Sequence, residues 1–479
     1  MQRLSPLDAK FLNSDSPTVP RQIASLAILD AGERALDHDR LLQVIDERID
    51  LVPRYRQVPR RVPGGLGAPV WVDDEDFDIT RHVRRSALPK PGSDDLLHEL
   101  VGRLIARRLD LERPLWELYL VEGLADGRTA LLFKAHQALV DGSETVDLAQ
   151  VLLEEVAHTR DIPHEPWVAR TEPGPAALVG ESLNRTLTSP TQVVRVAERT
   201  AGRLLRRVPG LGAPTPPSHG VLSTTLSKHR RFASLSAPFA SLRTVREHHG
   251  GTVNDVILAS IAGGIRGWML TRAEPVTPKT SFRALVPMSV VSEGLPTSWG
   301  SQVSGHLLSL PVGESNPVVR LHQVSYALKD HRETGSAVAA NELANLPGFA
   351  TSTFHAVGAR VAVADNAREH HITITNVPGP QEPVYLAGHE VAEVYPCIPL
   401  DGNRAVSIAV TSYNGHVFFG IVADRDAVDD VEVLAQCIRE ALEELVETCE
   451  SAGRRAPRGR QRPDKAGRNG TGRNGVGPA

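Results

Sequence analysis

Cysteine is scarce, with three in 479 residues, at 397, 437 and 449. Their spacing fits neither a metal-ligand set nor a disulfide framework, and the odd count points to a reducing compartment. Long apolar runs are missing as well. The longest, VILASIAGGI at 256–265, is far short of a membrane span. The opening MQRLSPLDAKFL has no basic segment followed by an apolar one, so no secretory leader is expected. No G-x-G-x-x-G follows a strand and no Walker A loop occurs, so nucleotide cradling has no support. A G-x-S-x-G elbow is also missing, which argues against Ser-His-Asp hydrolysis. The pairs His248–His249 and His370–His371 lack metal-ligand spacing, so no metal is expected. A net charge of -4 argues against nucleic-acid binding by bulk electrostatics.

What is present is an ordinary globular composition, 41% apolar and 23% charged, in a chain long enough for two cores. Residues 1–157 form a first unit. Leu41, Leu42, Ile45, Ile49 and Val52 recur at helical spacing, and LLHELVGRLIARRLDLE is a second amphipathic helix. ELYLVEGL and TALLFKAH are predicted strands joined by an Asp126–Gly127 turn. A third helix is predicted from Gly142 to about Val156. Residues 158–220 are rich in proline and read as a linker. Within it, apolar positions 193, 194, 197, 201, 204, 205 and 208, flanked by arginines, predict an amphipathic helix. That helix either lies on a membrane surface or bridges two domains. Residues 221–450 form a second unit that mixes helices and strands. The basic tail of 451–479 has no apolar periodicity and is expected to be disordered.

The segment LFKAHQALVDGSE at 132–144 runs from strand through turn into the start of a helix. Its Asp141-Gly-Ser-Glu144 has capping-box form, which by itself accounts for the aspartate. Gly142 removes a side chain where the backbone bends sharply. Acyl transfer from a thioester to a hydroxyl needs a base, an oxyanion donor and exclusion of water. A His four residues before an Asp at such a turn meets the first need. None of the 18 histidines here has an Asp four residues later.

The segment resembles the HHxxxDG motif of the bacterial wax ester synthase/diacylglycerol acyltransferase family. Other stretches resemble the family in order: LSPLDAKFL, RPLWELYLVEGL with Trp116, GGTVNDVILASIAGGIR with Asn254 and Asp255, RALVPMSV, NVPGP and SYNGHVFFGIVAD. The resemblance covers roughly residues 1–450. It implies an α/β (α+β), two-domain, coenzyme A-dependent acyltransferase fold, each domain a mixed sheet with packed helices and a tunnel at the interface. It implies acyl-CoA as co-substrate, no bound cofactor, and diacylglycerol or a long-chain alcohol as hydroxyl acceptor. A cytoplasmic protein that meets a membrane or lipid-body surface peripherally is expected.

Laid over HHxxxDG, His136 takes the first histidine position and Gln137 the second, which the family uses as base. Asp141 and Gly142 are in place. Gln137 can orient a hydroxyl through hydrogen bonds but cannot hold its proton. Loss of a general base costs on the order of 10²–10⁴ in rate. His136 is a structural residue beside the turn or a substitute base. Strand alternation favours the first, because neighbours face opposite sides. Family likeness further suggests a distant arginine partner for Asp141, with Arg283 and Arg404 as candidates. Trp116 is either a buried corner anchor or a substrate contact. Asn254 and Asp255 are either helix-capping groups or polar groups at the cleft. Two rival readings stand beside the transferase: a silent relative that binds acyl-CoA or lipid, and a transferase for another acceptor.

Overall fold

Local signals set the first elements of the computed structural model. It describes residues 2–32, 35–65, 67–140, 148–157, 167–180, 220–289, 303–333 and 370–454. Asp141, Gly142, the linker helix expected within 191–208 and residues 455–479 lie outside these. Helix α1 (Pro6–Ser14) begins at Ser5, whose hydroxyl accepts the Asp8 N–H at 3.1 Å. Helices α2 (His38–Arg48) and α3 (Asp94–Ala106) bury apolar stripes that include Val44 and Ile45, and Val101 and Ile105. The predicted hairpin is β6 (Trp116–Glu122) with β7 (Thr129–His136). Asp126 and Gly127 between them have φ of 62° and 71°, left-handed values that an Asp-Gly pair tolerates.

Three sheets form among the described residues. A small one joins β1 (Gln2–Arg3), β4 (Val70–Asp73) and β3 (Gln57–Arg60). The first large sheet runs β5 (Val83–Ala87), β6, β7, β2 (Gln22–Leu29), β14 (His389–Cys397), β13 (Tyr385–Leu386), β8 (Leu153–Glu154). The second runs β11 (Val303–Leu310), β10 (Phe282–Ser289), β12 (Ile372–Pro378), β15 (Val406–Tyr413), β16 (His416–Asp424), β9 (Arg230–Pro238). Both large sheets mix parallel and antiparallel pairs, and each has its own apolar core. Helices Val253–Thr271 and Val431–Arg454 pack together on the second sheet's core.

Residues 385–397 lie inside the segment read as a second unit, yet their strands complete the first sheet, with β14 pairing antiparallel with β2. The two sheets meet closely there. A methyl group on Gly420 of β16 would sit 1.9 Å from the Pro396 carbonyl, and one on Gly102 of α3 would sit 2.8 Å from the Arg230 carbonyl. Only a hydrogen fits at either contact.

One prediction is corrected. The helix after the motif does not reach Val156. In the described residues α4 spans Leu148–Leu152, and Leu153–Glu154 is strand β8, paired with β13. Val156, placed on the apolar face by the periodicity, is 52% exposed. The pairing partner lies more than 200 residues away, and buried Arg48 fixes the corner. Its guanidinium donates to the Val151 and Leu152 carbonyls and to Glu154 at 2.5 Å.

Candidate active site

Strand β7 delivers the motif. Its register pairs Gln22 with His136 and Glu117 with Lys134. Directly opposed residues point to one side of a sheet, so these four share a face. Ala135 and Trp116 take the other. On the His136 face, the C-terminus of α3 presents carbonyls that have no partner within the helix. Gln22 Nε2 donates to the carbonyls of Ile105 at 2.7 Å and Arg107 at 2.8 Å, and Lys134 Nζ donates to Arg107 at 2.9 Å. A cation at a helix C-terminus also suits the macrodipole.

Lys134 is fully buried and pairs with Glu117 at 3.2 Å. Burial drives its pKa down to about 8, with Glu117 opposing that shift. For Glu117, burial acts upward, but Lys134, Tyr119 and Arg84 outweigh it and hold the carboxyl below its ordinary value. Sequence reading passed over this pair. The available signal was a lysine inside an otherwise apolar strand.

The turn after β7 is built from the backbone. His136 N–H donates to the Leu115 carbonyl at 2.9 Å, Gln137 N–H to Arg21 at 2.8 Å, and Leu139 N–H to His136 at 2.9 Å. His136 and Gln137 are both buried, at 1% and 0% exposure. The Ala138 N–H donates to His136 Nδ1 at 3.0 Å. Nδ1 is therefore an acceptor, and the neutral ring carries its hydrogen on Nε2.

Arg21 ties this turn to the second half of the chain. Its guanidinium donates to Asp401 Oδ1 at 2.7 Å, with both side chains buried. Arg404 lies 3.8 Å from the other Asp401 oxygen and donates to the His370 carbonyl at 3.1 Å. Arg404 is thus in the same buried network as the motif's neighbour, whereas Arg283 is exposed on β10. The expected partner Asp141 lies outside the described residues, as does Gly142. Beside the network, Gln22, Ala24, Ile105, Arg230, Leu400 and Val422 line a narrow cavity where the two sheets meet.

The remaining site candidates occupy packed positions. Trp116 is fully buried. Its indole N–H donates to the Tyr55 carbonyl at 2.8 Å and its ring stacks on His82 at 4.7 Å. Asp255 closes a capping box with Thr252 at the start of Val253–Thr271 and accepts from Ser325 at 2.8 Å. Asn254 accepts from Asn376 of the NVPGP segment at 2.9 Å, which joins two stretches that are 122 residues apart. Among the described residues there is no cluster of three or more potential metal ligands and no helix long and apolar enough to cross a membrane.

The geometry has counterparts. Residues 4–257 match the wax ester synthase/diacylglycerol acyltransferase catalytic domain, and residues 299–446 match the C-terminal domain of that family. A probable diacyglycerol O-acyltransferase of Mycobacterium tuberculosis, tgs1, is 34% identical over 455 residues, covering 93% of this chain and 96% of its own. A second from that organism, tgs3, is 38% identical over 265 residues, 52% of this chain and 96% of its own. The solved wax ester synthase/diacylglycerol acyltransferase from Marinobacter aquaeolei VT8 superposes with a TM-score of 0.65 at 26% identity, covering 94% of this chain and all of that one. The first condensation domain of the calcium-dependent antibiotic synthetase shares the fold alone, with a TM-score of 0.52 at 15% identity over 93% of this chain and 97% of that one. With both halves matched in order and a relative aligned over nearly the whole length, the chain belongs to the wax ester synthase/diacylglycerol acyltransferase family.

Proposed function

We propose that this protein transfers an acyl group from acyl-CoA to the hydroxyl of a lipid acceptor, diacylglycerol or a long-chain alcohol. Acceptor oxygen attacks the thioester carbonyl, the C–S bond breaks, and the hydroxyl proton ends on the coenzyme A thiol. His136 and Gln137 stand at the turn where this takes place, and Asp141 and Gly142 complete the motif in sequence. The observation that carries the reading is the family match over both halves together with the buried motif turn, locked to Arg21 and Leu115. In this reading Gln137 orients the acceptor and turnover is slow, because glutamine cannot hold the proton. Contact with lipid is peripheral, from a membrane or lipid-body surface.

A second reading rests on one specific observation. Gln137 cannot titrate, and the Nδ1 of His136 is occupied by the Ala138 N–H. A protein with that turn binds acyl-CoA or lipid without turning it over. Release of free coenzyme A from long-chain acyl-CoA, with diacylglycerol or hexadecanol as acceptor, decides between them. Slow wild-type turnover supports the transferase. Wild-type binding without release, with release appearing in Gln137→His, supports the silent binder. No release from either folded protein, with any acceptor, removes the transferase reading.

A further inference from the structure

Next to the motif lies a second and larger recess, of about 290 Å³. Five arginines line it, Arg81, Arg84, Arg107, Arg108 and Arg113, against two carboxylates, Asp110 and Glu117. Three elements contribute: the start of β5, the segment that follows α3, and the start of β6. The last abuts the motif, since Leu115 accepts the His136 N–H and Glu117 pairs in register with Lys134. His82 and Trp116 also line the recess, and the rings of Phe77, His82 and Trp116 stack in sequence at 5.4 and 4.7 Å.

The arginines differ in how far they are already neutralised. Arg84 pairs with Glu117 at 3.0 Å, and Arg108 with the buried carboxylate of Asp15 at 2.5 Å. Arg81 and Arg113 make only surface pairs with Asp78 and Asp110, at 3.3 and 3.4 Å. Surface pairs of that kind contribute little and exchange readily. Arg107 is exposed and has no acidic partner among the described residues. Its backbone carbonyl is occupied by Gln22 and Lys134, so the chain is held while the guanidinium is left to the recess. A concave surface with surplus guanidinium groups suits phosphate oxygens, which arginine grips with paired N–H donors.

We infer that this recess binds the phosphate groups of the acyl-CoA donor, with Arg107 and Arg113 as direct contacts and Arg81 in support. The inference rests on the acyl-CoA reading above and locates the donor's polar end. Of the two substrates, only the donor carries phosphates. A recess beside the motif turn suits one soluble polyanion better than the plane of a headgroup layer.

The test is calorimetric titration of the full chain with coenzyme A, 3′-dephospho-coenzyme A and inorganic phosphate, and sedimentation with vesicles containing anionic phospholipid. Wild type is compared with Arg107→Ala/Arg113→Ala and with the distant surface control Arg243→Ala, and circular dichroism confirms folding. Expected is a loss of about tenfold or more in coenzyme A affinity for the double variant, a higher KM for acyl-CoA with kcat little changed, and an unaltered control. Unchanged coenzyme A affinity and KM in a folded double variant overturn the inference and leave the transferase reading standing. Loss of vesicle binding alone also overturns it, and assigns the arginines to lipid headgroups. A wild type that neither binds coenzyme A nor releases it from acyl-CoA overturns both.

Discussion

The Ala138 N–H and His136 Nδ1 are 3.0 Å apart, and the bond between them puts the hydrogen of the neutral ring on Nε2. To accept a proton on Nε2, the neutral ring must first move its hydrogen to Nδ1 and give up the Ala138 bond. A backbone donor left buried without its partner costs roughly 1–3 kcal/mol. His136 is therefore a poor substitute for the base. His136→Asn, which keeps an acceptor for Ala138, is expected to retain wild-type coenzyme A release within about threefold. Gln137→His is expected to raise it by on the order of 10²–10⁴. Single-turnover release measures both, and abolition of turnover by His136→Asn in a folded protein would make His136 the base after all.

Asp401 sits between two buried arginines, Arg21 and Arg404, on segments 380 and 3 residues away. Removing one member of a buried ionic network strands the others in low dielectric, at a cost of about 3–5 kcal/mol. Asp401→Ala is expected to lose stability on that scale in urea unfolding. Arg21 also holds the Gln137 N–H, so any turnover should fall together with stability. A loss below about 1 kcal/mol would show that the network is not a structural tie.

Asp255 lies in the stretch that resembles the family's Asn-Asp pair, and its carboxylate accepts from Thr252 and Ser325. Asp255→Ala is expected to destabilise by about 1–2 kcal/mol, the value of an N-terminal cap plus a buried hydrogen bond. KM for acyl-CoA and for acceptor should not move. A change in KM without a change in stability would place Asp255 in contact with substrate instead.

Lys134 offers a pH test. Its folded pKa lies near 8, below its ordinary value of 10.5. As pH rises between these values, the folded state has released a proton that the unfolded state still holds. The unfolded state then binds more protons, so this group's contribution to stability increases with pH across that window. Below the window its burial is a standing penalty, offset in part by Glu117. The difference in unfolding free energy between wild type and Lys134→Met should therefore grow in favour of wild type from about pH 8 to 10.5. A flat difference would mean that Lys134 titrates normally.

Much of the architecture is written in short-range signals. The periodicities of α2 and α3, the Asp-Gly turn between β6 and β7, and the Thr252 cap of Val253–Thr271 all act within a few residues, so they can be read without the fold. The motif and its Gln137 departure are equally legible, because residue identity states them outright. Two-unit organisation also follows from length and from the proline-rich stretch between the halves.

Partners far apart in the chain were decided only in three dimensions. β14 leaves the second half to pair with β2, and β8 interrupts a helical pattern because β13 offers it a ladder. Arg21 finds Asp401 across 380 residues. The arginine-lined recess draws on residues 81–84 and 107–117, two stretches that only the fold brings together. Local sequence encodes what a backbone prefers over one or two turns. Which buried charge meets which, and which carbonyl His136 and Gln137 lean on, depends on contacts that exist only once both sheets have closed on each other.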